Sequence, residues 1–287
     1  VLPFKIPITK GESFRVQIDD EQYFYDTFHK HNELQVMYIQ QSKGTLICGD
    51  YVGNFYPGDL FVIGPDQPHV FRNNKEYYTN EADERARAVS LYFERDSFGH
   101  SFFNLPEVEA LNDFLVRSAR GIKFTSDTSK SIQEKITTIE ELNGLDRFIA
   151  LLNILKELAD ANDYEYLSTL SEISKFDEKE GKRLSKIYEF TMRESYRNIT
   201  LEEVADIASM TPNAFCRYFK QRTRKTYVNF LNEIRIANVC KMLRDKEKSI
   251  AEISYQCGFN NLSHFNRNFK SIKGMSPRDY QKLVVKN

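Results

Sequence analysis

Two stretches near the end of the chain repeat one pattern, and that repeat constrains the fold more than anything else in the sequence. LEEVADIASMTPNAFCRYFKQRTRKTYVNF begins at Leu201, and IAEISYQCGFNNLSHFNRNFKSIKGMSPRDY begins at Ile250. Leu201 aligns with Ile250 and Val204 with Ile253, at an offset of 49. Beyond the turn Phe215 aligns with Phe265, Arg217 with Arg267, Phe219-Lys220 with Phe269-Lys270 and Phe230 with Tyr280, at an offset of 50. The second turn has therefore gained one residue. Two copies are too few for a solenoid, which stacks at least three to bury a continuous core. A duplicated helix, turn, helix unit is expected instead.

The local chemistry of each copy fits that unit. Thr200 with Glu203, and Ser249 with Glu252, have the spacing of a capping box at a helix start. Ala205 and Ser254 are small where a second helix must cross closely, and Gly258 permits a left-handed turn. Thr211-Pro212 places proline in the first turn of the first copy's second helix, where it is favoured. In both second helices two phenylalanines stand four apart, so Phe215 with Phe219 and Phe265 with Phe269 form the inner face. The other face carries Asn213, Ala214, Cys216, Arg217 and Lys220 in one copy, and Ser263, His264, Asn266, Arg267 and Lys270 in the other. A polar helical face is ordinarily just a solvated one. Arginine, however, pairs bidentately with guanine and asparagine with adenine, while serine and histidine reach base edges or phosphate. Two aligned copies of such a face point to major-groove reading. The connector YVNFLNEIRIANVCKMLR, 227–244, is expected to be an amphipathic helix; its 18 residues span about 27 Å. Successive major grooves on one DNA face lie about 34 Å apart, so a rigid connector with helices packed at its ends is feasible.

Charge agrees. Residues 182–287 hold 21 Lys and Arg against 10 Asp and Glu, a net of +11, while residues 1–181 hold 19 against 31, a net of −12. The overall −1 hides this split, which suggests that only the second half meets a polyanion. No run approaches the roughly 18 apolar residues of a membrane span, and VLPFKIPITK lacks the features of a signal peptide. Cys48, Cys216, Cys240 and Cys257 have no paired spacing, which favours reduced thiols in a cytoplasm over disulfides or a zinc site.

The acidic half reads differently. FRVQI, LQVMYI, GTLICG, DLFVI and AVSLYFE alternate with turn signals over residues 1–95, which predicts a β-barrel or sandwich. Helical periodicity takes over from about 97 to 167. Leu145, Phe148, Ile149, Leu152, Leu155 and Ala159 form one apolar stripe there, suited either to packing in its own domain or to a dimer seam. The polar stretch 168–182 is the expected linker between domains 1–167 and 183–287. In an extended strand His29, His31, Glu33 and Gln35 would share a face, and the turns at 57–59 and 65–69 could return His69 to the same mouth. A small-ligand pocket using His29, His31, Gln35 and His69 as hydrogen-bond partners is expected; structural capping by His29 and His69 is the bland alternative. No catalytic serine or cysteine constellation and no phosphate-cradling glycine loop is present in the sequence.

Residues 184–283 resemble the DNA-binding domain of the AraC/XylS family of bacterial transcription regulators. The shared signature in the second copy is the Gly-Phe turn, His-Phe, Arg, Phe-Lys, Gly, Ser-Pro and closing Tyr. Ser254 stands where Ala is usual, and Arg224 where the first copy often has Gly. By motif position the resemblance implies that Asn213, Cys216 and Arg217, then Leu262, Ser263, His264, Asn266 and Arg267, face bases. It further implies an α+β two-domain chain, with an N-terminal cupin-like β-barrel and helical linker before an all-α double helix-turn-helix. The expected function is that of a non-enzymatic, dimeric regulator of double-stranded DNA, commonly an activator working with RNA polymerase and responding to a small molecule such as a sugar. No cofactor is expected. Metal cupins have His-x-His followed by Glu and a later His; here Gln35 replaces that Glu, and Gln is a poor anionic ligand. A metal-dependent cupin enzyme with a DNA-binding tail, and an effector-free regulator whose barrel only dimerises, are the alternatives.

Overall fold

The computed structural model describes residues 2–3, 6, 12–79, 84–168, 178–244 and 248–284. The chain divides into two compact units, the first mainly Val1–Tyr51 with Phe55–Lys175 and the second mainly Phe176–Asn287. Residues 169–177 of the expected linker lie outside the described residues.

Eleven strands are seen among the described residues: β1 (Leu2–Pro3), β2 (Arg15–Glu21), β3 (His29–Lys30), β4 (Leu34–Gln41), β5 (Gly44–Cys48), β6 (Tyr51–Phe55), β7 (Leu60–Ile63), β8 (His69–Asn73), β9 (Ala86–Phe93), β10 (Ile122–Phe124) and β11 (Tyr164–Tyr166). They form two sheets rather than one closed ring, in the orders β1-β3-β8-β5-β6 and β11-β10-β7-β4-β9-β2. The expected closed barrel is thus a two-sheet sandwich. Three helices belong to the same unit: α1 (Glu109–Ser118), α2 (Ser126–Thr138) and α3 (Gly144–Asp160). The expected division into strands before 95 and helices after 97 is only partly right. β10, from the helical stretch, pairs antiparallel with β7 and with β11, so that segment completes the larger sheet.

Alternation explains why LQVMYI is apolar throughout. Leu34, Val36 and Tyr38 join a core with Leu111, Phe114, Ile132, Ile136, Leu151, Ile154 and Leu158 of the helices. Met37 and Ile39, of opposite parity, join a second core with Leu46, Phe61 and Phe71. The α3 stripe splits. Leu155 and Ala159 are buried in the unit's own core, whereas Leu145 and Ile149 are 70% and 45% exposed. The residues that α3 buries are Leu151, Ile154, Leu155, Leu158 and Ala159.

The second unit holds α4 (Glu178–Glu194), α5 (Leu201–Ile207), α6 (Pro212–Thr223), α7 (Tyr227–Met242), α8 (Ile250–Gln256), α9 (Leu262–Lys273) and α10 (Pro277–Val284). The repeat is visible in the element boundaries: α5 and α8 start 49 residues apart, α6 and α9 start 50 apart. The connector α7 has 16 residues, about 24 Å at 1.5 Å each. It is not amphipathic as expected. Phe230, Leu231, Ile234, Ile236, Ala237, Val239 and Cys240 bury it nearly all round. A helix that packs on both copies has no wide solvent side to leave polar.

Candidate functional site

Both second helices start on a side-chain cap. The Ala214 amide donates to Thr211 Oγ1 at 3.4 Å, and the His264 amide donates to Asn261 Oδ1 at 2.9 Å. Phe215, Phe219, Phe265 and Phe269 are fully buried. Asn213, Cys216, Arg217 and Lys220 are exposed on α6, as are Leu262, Ser263, Asn266, Arg267 and Lys270 on α9. His264 is half-buried, its ring 6.1 Å from that of Phe259, so packing claims part of it. From 214 to 220 and from 264 to 270 the sequence of buried, half-buried and exposed positions is identical. Lys220 and Arg222 in one copy, and Lys270 and Lys273 in the other, occupy the last turns, where cations complement the helix dipole.

The turns differ in chemistry. Gly258 has φ +88, and a Cβ there would lie 2.4 Å from the Ser195 carbonyl oxygen. Ser209 holds the matching left-handed turn of the first copy at φ 54. Ser254 is buried, and its hydroxyl donates to the Ala251 carbonyl at 2.8 Å, which accommodates the departure from Ala. Arg224 adopts φ 59 despite its side chain.

One residue that positions these helices escaped sequence reasoning. Arg235 in α7 is buried; its Nε donates to the Ser195 carbonyl at 2.9 Å and its Nη2 to the Arg197 carbonyl at 2.7 Å. The guanidinium also lies 5.8 Å from the centre of the Phe259 ring. Burial lowers its pKa, and the two carbonyls compensate the cation's lost water. A lone Arg inside the apolar run EIRIANV was the available signal.

The N-terminal unit contains a cavity of about 580 Å³. Its walls include His29, His69 and Phe71 from the smaller sheet, and Gln17, Asp19, Gln35, Met37 and Tyr92 from the larger, with Tyr23, Phe24, Tyr25 and Asp26 at one side. The expected common strand face for His29, His31, Glu33 and Gln35 is not formed, because residues 31–33 turn between β3 and β4. The histidines nevertheless converge. His29 pairs with His69 across β3 and β8, and their rings lie 4.3 Å apart. The His31 ring lies 5.0 Å from that of His69. A ring nitrogen of each of the three lies within 4.8 Å of one in both others.

Each imidazole is oriented by a main-chain carbonyl on its Nδ1: Thr27 at 2.8 Å for His29, Glu33 at 2.9 Å for His31 and Gln67 at 2.8 Å for His69. A carbonyl only accepts, so each Nδ1 carries the proton. Burial pushes the pKa of His29 down to about 4, lowers that of His31, and holds that of His69 well below its usual value. Burial raises the carboxyls of Glu33 and Asp19. Gln35 Nε2 donates to Tyr92 Oη at 2.8 Å and Ser90 Oγ at 3.2 Å, which turns its carbonyl oxygen away from them. That oxygen and His31 Nε2 are both buried without a hydrogen-bond partner among the described residues.

Residues 204–283 match the family model described as a helix-turn-helix domain. Over 262 residues the chain is 24% identical to an uncharacterized HTH-type transcriptional regulator, YdeC, of Bacillus subtilis, covering 90% of this chain and 87% of that protein. Over 253 residues it is 24% identical to the HTH-type transcriptional activator RhaS of Mannheimia succiniciproducens, covering 88% and 87%. Among solved structures, ToxT from Vibrio cholerae aligns with 95% of this chain and 100% of its own at 17% identity and a TM-score of 0.36. Among the described residues no helix is long and apolar enough to cross a membrane.

Proposed function

We propose that the chain is a DNA-binding transcription regulator with an AraC-type helix-turn-helix domain in residues 204–283, that α6 and α9 are its reading helices and that the N-terminal cavity is its sensor. The observation that carries this reading is the repeated exposure of one helical face over two buried phenylalanines, fifty residues apart. Asn213, Cys216 and Arg217 on α6, with Leu262, Ser263, Asn266 and Arg267 on α9, meet base edges. Arg217 and Arg267 suit guanine, and Leu262 suits a thymine methyl. Lys220 and Lys270 neutralise phosphates. His264, half-buried, reaches a base edge or a phosphate at the border of the surface.

The cavity combines aromatic rings, carboxyls, an amide and imidazoles. That mixture suits a small hydroxylated molecule, carbohydrate among the classes, with His29, Gln35 and His69 as its polar partners; His31, expected with them, does not line the cavity and packs against His69 instead. The effector favours one arrangement of the sensor and so shifts the population of DNA-competent molecules. Relatives named as activators support activation; the RNA polymerase partner rests on that activator role alone. The exposed side of α3 with Leu145 and Ile149 supports a homodimer. Regulators among the relatives also favour this reading over an enzyme.

Selection of random DNA by the purified full chain tests the reading surface. Arg267→Ala is expected to cost about 1–3 kcal/mol and to relax one base position. Uniform loss over all sequences would make Arg267 a phosphate contact, and failure of the wild type to select any sequence would sink the reading. Melting temperature and DNA affinity with candidate effectors test the sensor; a DNA affinity unmoved by any molecule that raises the melting temperature would refute it.

A further inference from the structure

We propose that the molecule admitted by the N-terminal cavity is an organic cation, a protonated amine on a small frame, an assignment of charge that rests on the sensor reading of that cavity. The first reason is the inner face of β2. Alternate residues of a strand share a face, and Gln17, Asp19 and Glu21 of RVQIDDE all line the cavity. A strand with one solvated face usually turns its apolar residues inward and its polar ones outward. Here Ile18, of the opposite parity, is 43% exposed instead. Asp20 shares that outer face and pairs with Arg85 and, at 3.2 Å, with Arg87. Both arginines are thus engaged on the far side from the cavity-lining carboxyls. Burial is the largest influence on the Asp19 carboxyl and raises its pKa; the hydrogen bond from Gln17 Nε2, 2.7 Å long, opposes this, and Arg15 acts on it least.

The second reason is the rest of the lining. Asp26 adds a third carboxyl, and among the described residues no lysine or arginine lines the cavity. His29 and His69 add no positive charge, since burial lowers the pKa of both. Phe24, Phe71 and Tyr92 contribute aromatic surface, with the more exposed Tyr23 and Tyr25 beside them. A cation within about 6 Å of a ring's centre is drawn to its face, more strongly where water is excluded. Carboxyls and rings together are therefore the surroundings an ammonium group favours. An anion would meet three like charges and no cation to replace its lost water. A neutral polyol would leave the charge of the carboxyls unanswered. The third reason is Gln35, which lines the cavity, is 4% exposed and bonds Tyr92 and Ser90 through its Nε2. Its Oε1 would accept from a protonated His31, but burial keeps that ring neutral, so the oxygen is left without a donor. An ammonium N–H supplies one.

The test is calorimetric titration of the full chain at neutral pH with two sets of probes, each sharing a frame and differing in charge. One set is tyramine, tyrosol and 4-hydroxyphenylacetate; the other is glucosamine, glucose and glucuronate. In at least one set the amine is expected to bind roughly 10-fold tighter than the neutral member, with the acid weakest. Asp19→Asn should weaken the amine by about 10-fold and the neutral member little. Asp20→Asn, on the outer face, should leave both unchanged. Circular dichroism confirms folding of each variant, and the order within the wild-type sets decides the matter if Asp19→Asn unfolds. A neutral or acidic member that binds as tightly as its amine overturns the cation, as does amine binding unaffected in folded Asp19→Asn, or no binding by any of the six. DNA affinity measured with each bound probe keeps the two ideas apart. A neutral or acidic probe that binds best and shifts DNA affinity sinks the cation and leaves the sensor, whereas amines that bind through Asp19 and never move DNA affinity support the cation and count against the sensor.

Discussion

Gly258 and Arg224 occupy the same left-handed region of backbone space, at φ +88 and 59, with opposite consequences. Gly258 is required twice over, by its backbone angle and by the Ser195 oxygen that a Cβ would meet at 2.4 Å. Gly258→Ala is therefore expected to destabilise the second unit by about 2 kcal/mol or more, combining left-handed strain of about 1–2 kcal/mol with a clash against main chain. Arg224 ends α6 where Gly274, fifty residues on, ends α9 at φ 71. Glycine adopts this left-handed angle without the cost a Cβ incurs, so Arg224→Gly should stabilise by about 1 kcal/mol. Urea unfolding of the two variants checks both signs. A destabilised Arg224→Gly would mean that the arginine side chain contributes packing or charge worth more than the strain.

At the scale of the element, the two capping boxes make a pH prediction. The Thr200 amide donates to Glu203 Oε2 and the Ser249 amide to Glu252 Oε2, each at 2.8 Å, and the reverse bonds are present at 3.2 Å. The Thr200 backbone bond, then Arg197, lowers the pKa of Glu203 from its ordinary 4.5; the Ser249 hydroxyl and amide lower that of Glu252. A carboxylate with a depressed folded pKa contributes stability that is present above its unfolded pKa and is lost as pH falls through the folded value. Glu203→Gln with Glu252→Gln should accordingly lower the melting temperature at neutral pH and reduce its fall between about pH 5 and pH 3. Parallel melting curves for variant and wild type across that range would count against the boxes. These elements were legible in the sequence because caps, turns and four-residue spacings are local. The larger misreadings were all non-local. Whether α7 keeps a polar side depends on both copies packing onto it, and β10 is recognisable only beside β7. The histidine cluster was anticipated for an incomplete reason: strand parity fails at residues 31–33, and convergence comes from the β3–β8 register with the intervening turn. Arg235 could be noticed as a charge in an apolar run, but its carbonyl partners, some forty residues upstream, could not.

At the scale of the whole molecule, a net charge of −1 would lead one to expect weak attraction to DNA, yet residues 182–287 alone carry +11. With a Debye length of about 8–10 Å near physiological salt, a duplex feels chiefly the charges on the surface it touches, here the basic residues of 182–287. Affinity should therefore fall steeply with salt, each neutralised phosphate contributing a slope of about −0.9 in log K against log salt. Lys220→Ala and Lys270→Ala should each flatten that slope by about 1 and weaken selected and random DNA alike, and the double variant should flatten it by about 2, since the lysines sit on different helices and act independently. Arg267→Ala should instead reduce the advantage of selected over random DNA. Fluorescence anisotropy at several salt concentrations, on both kinds of duplex, separates the cases. If one lysine changed the slope and its counterpart fifty residues away did not, only one of the two helices would engage the duplex, and the duplicated face would have lost its second reader.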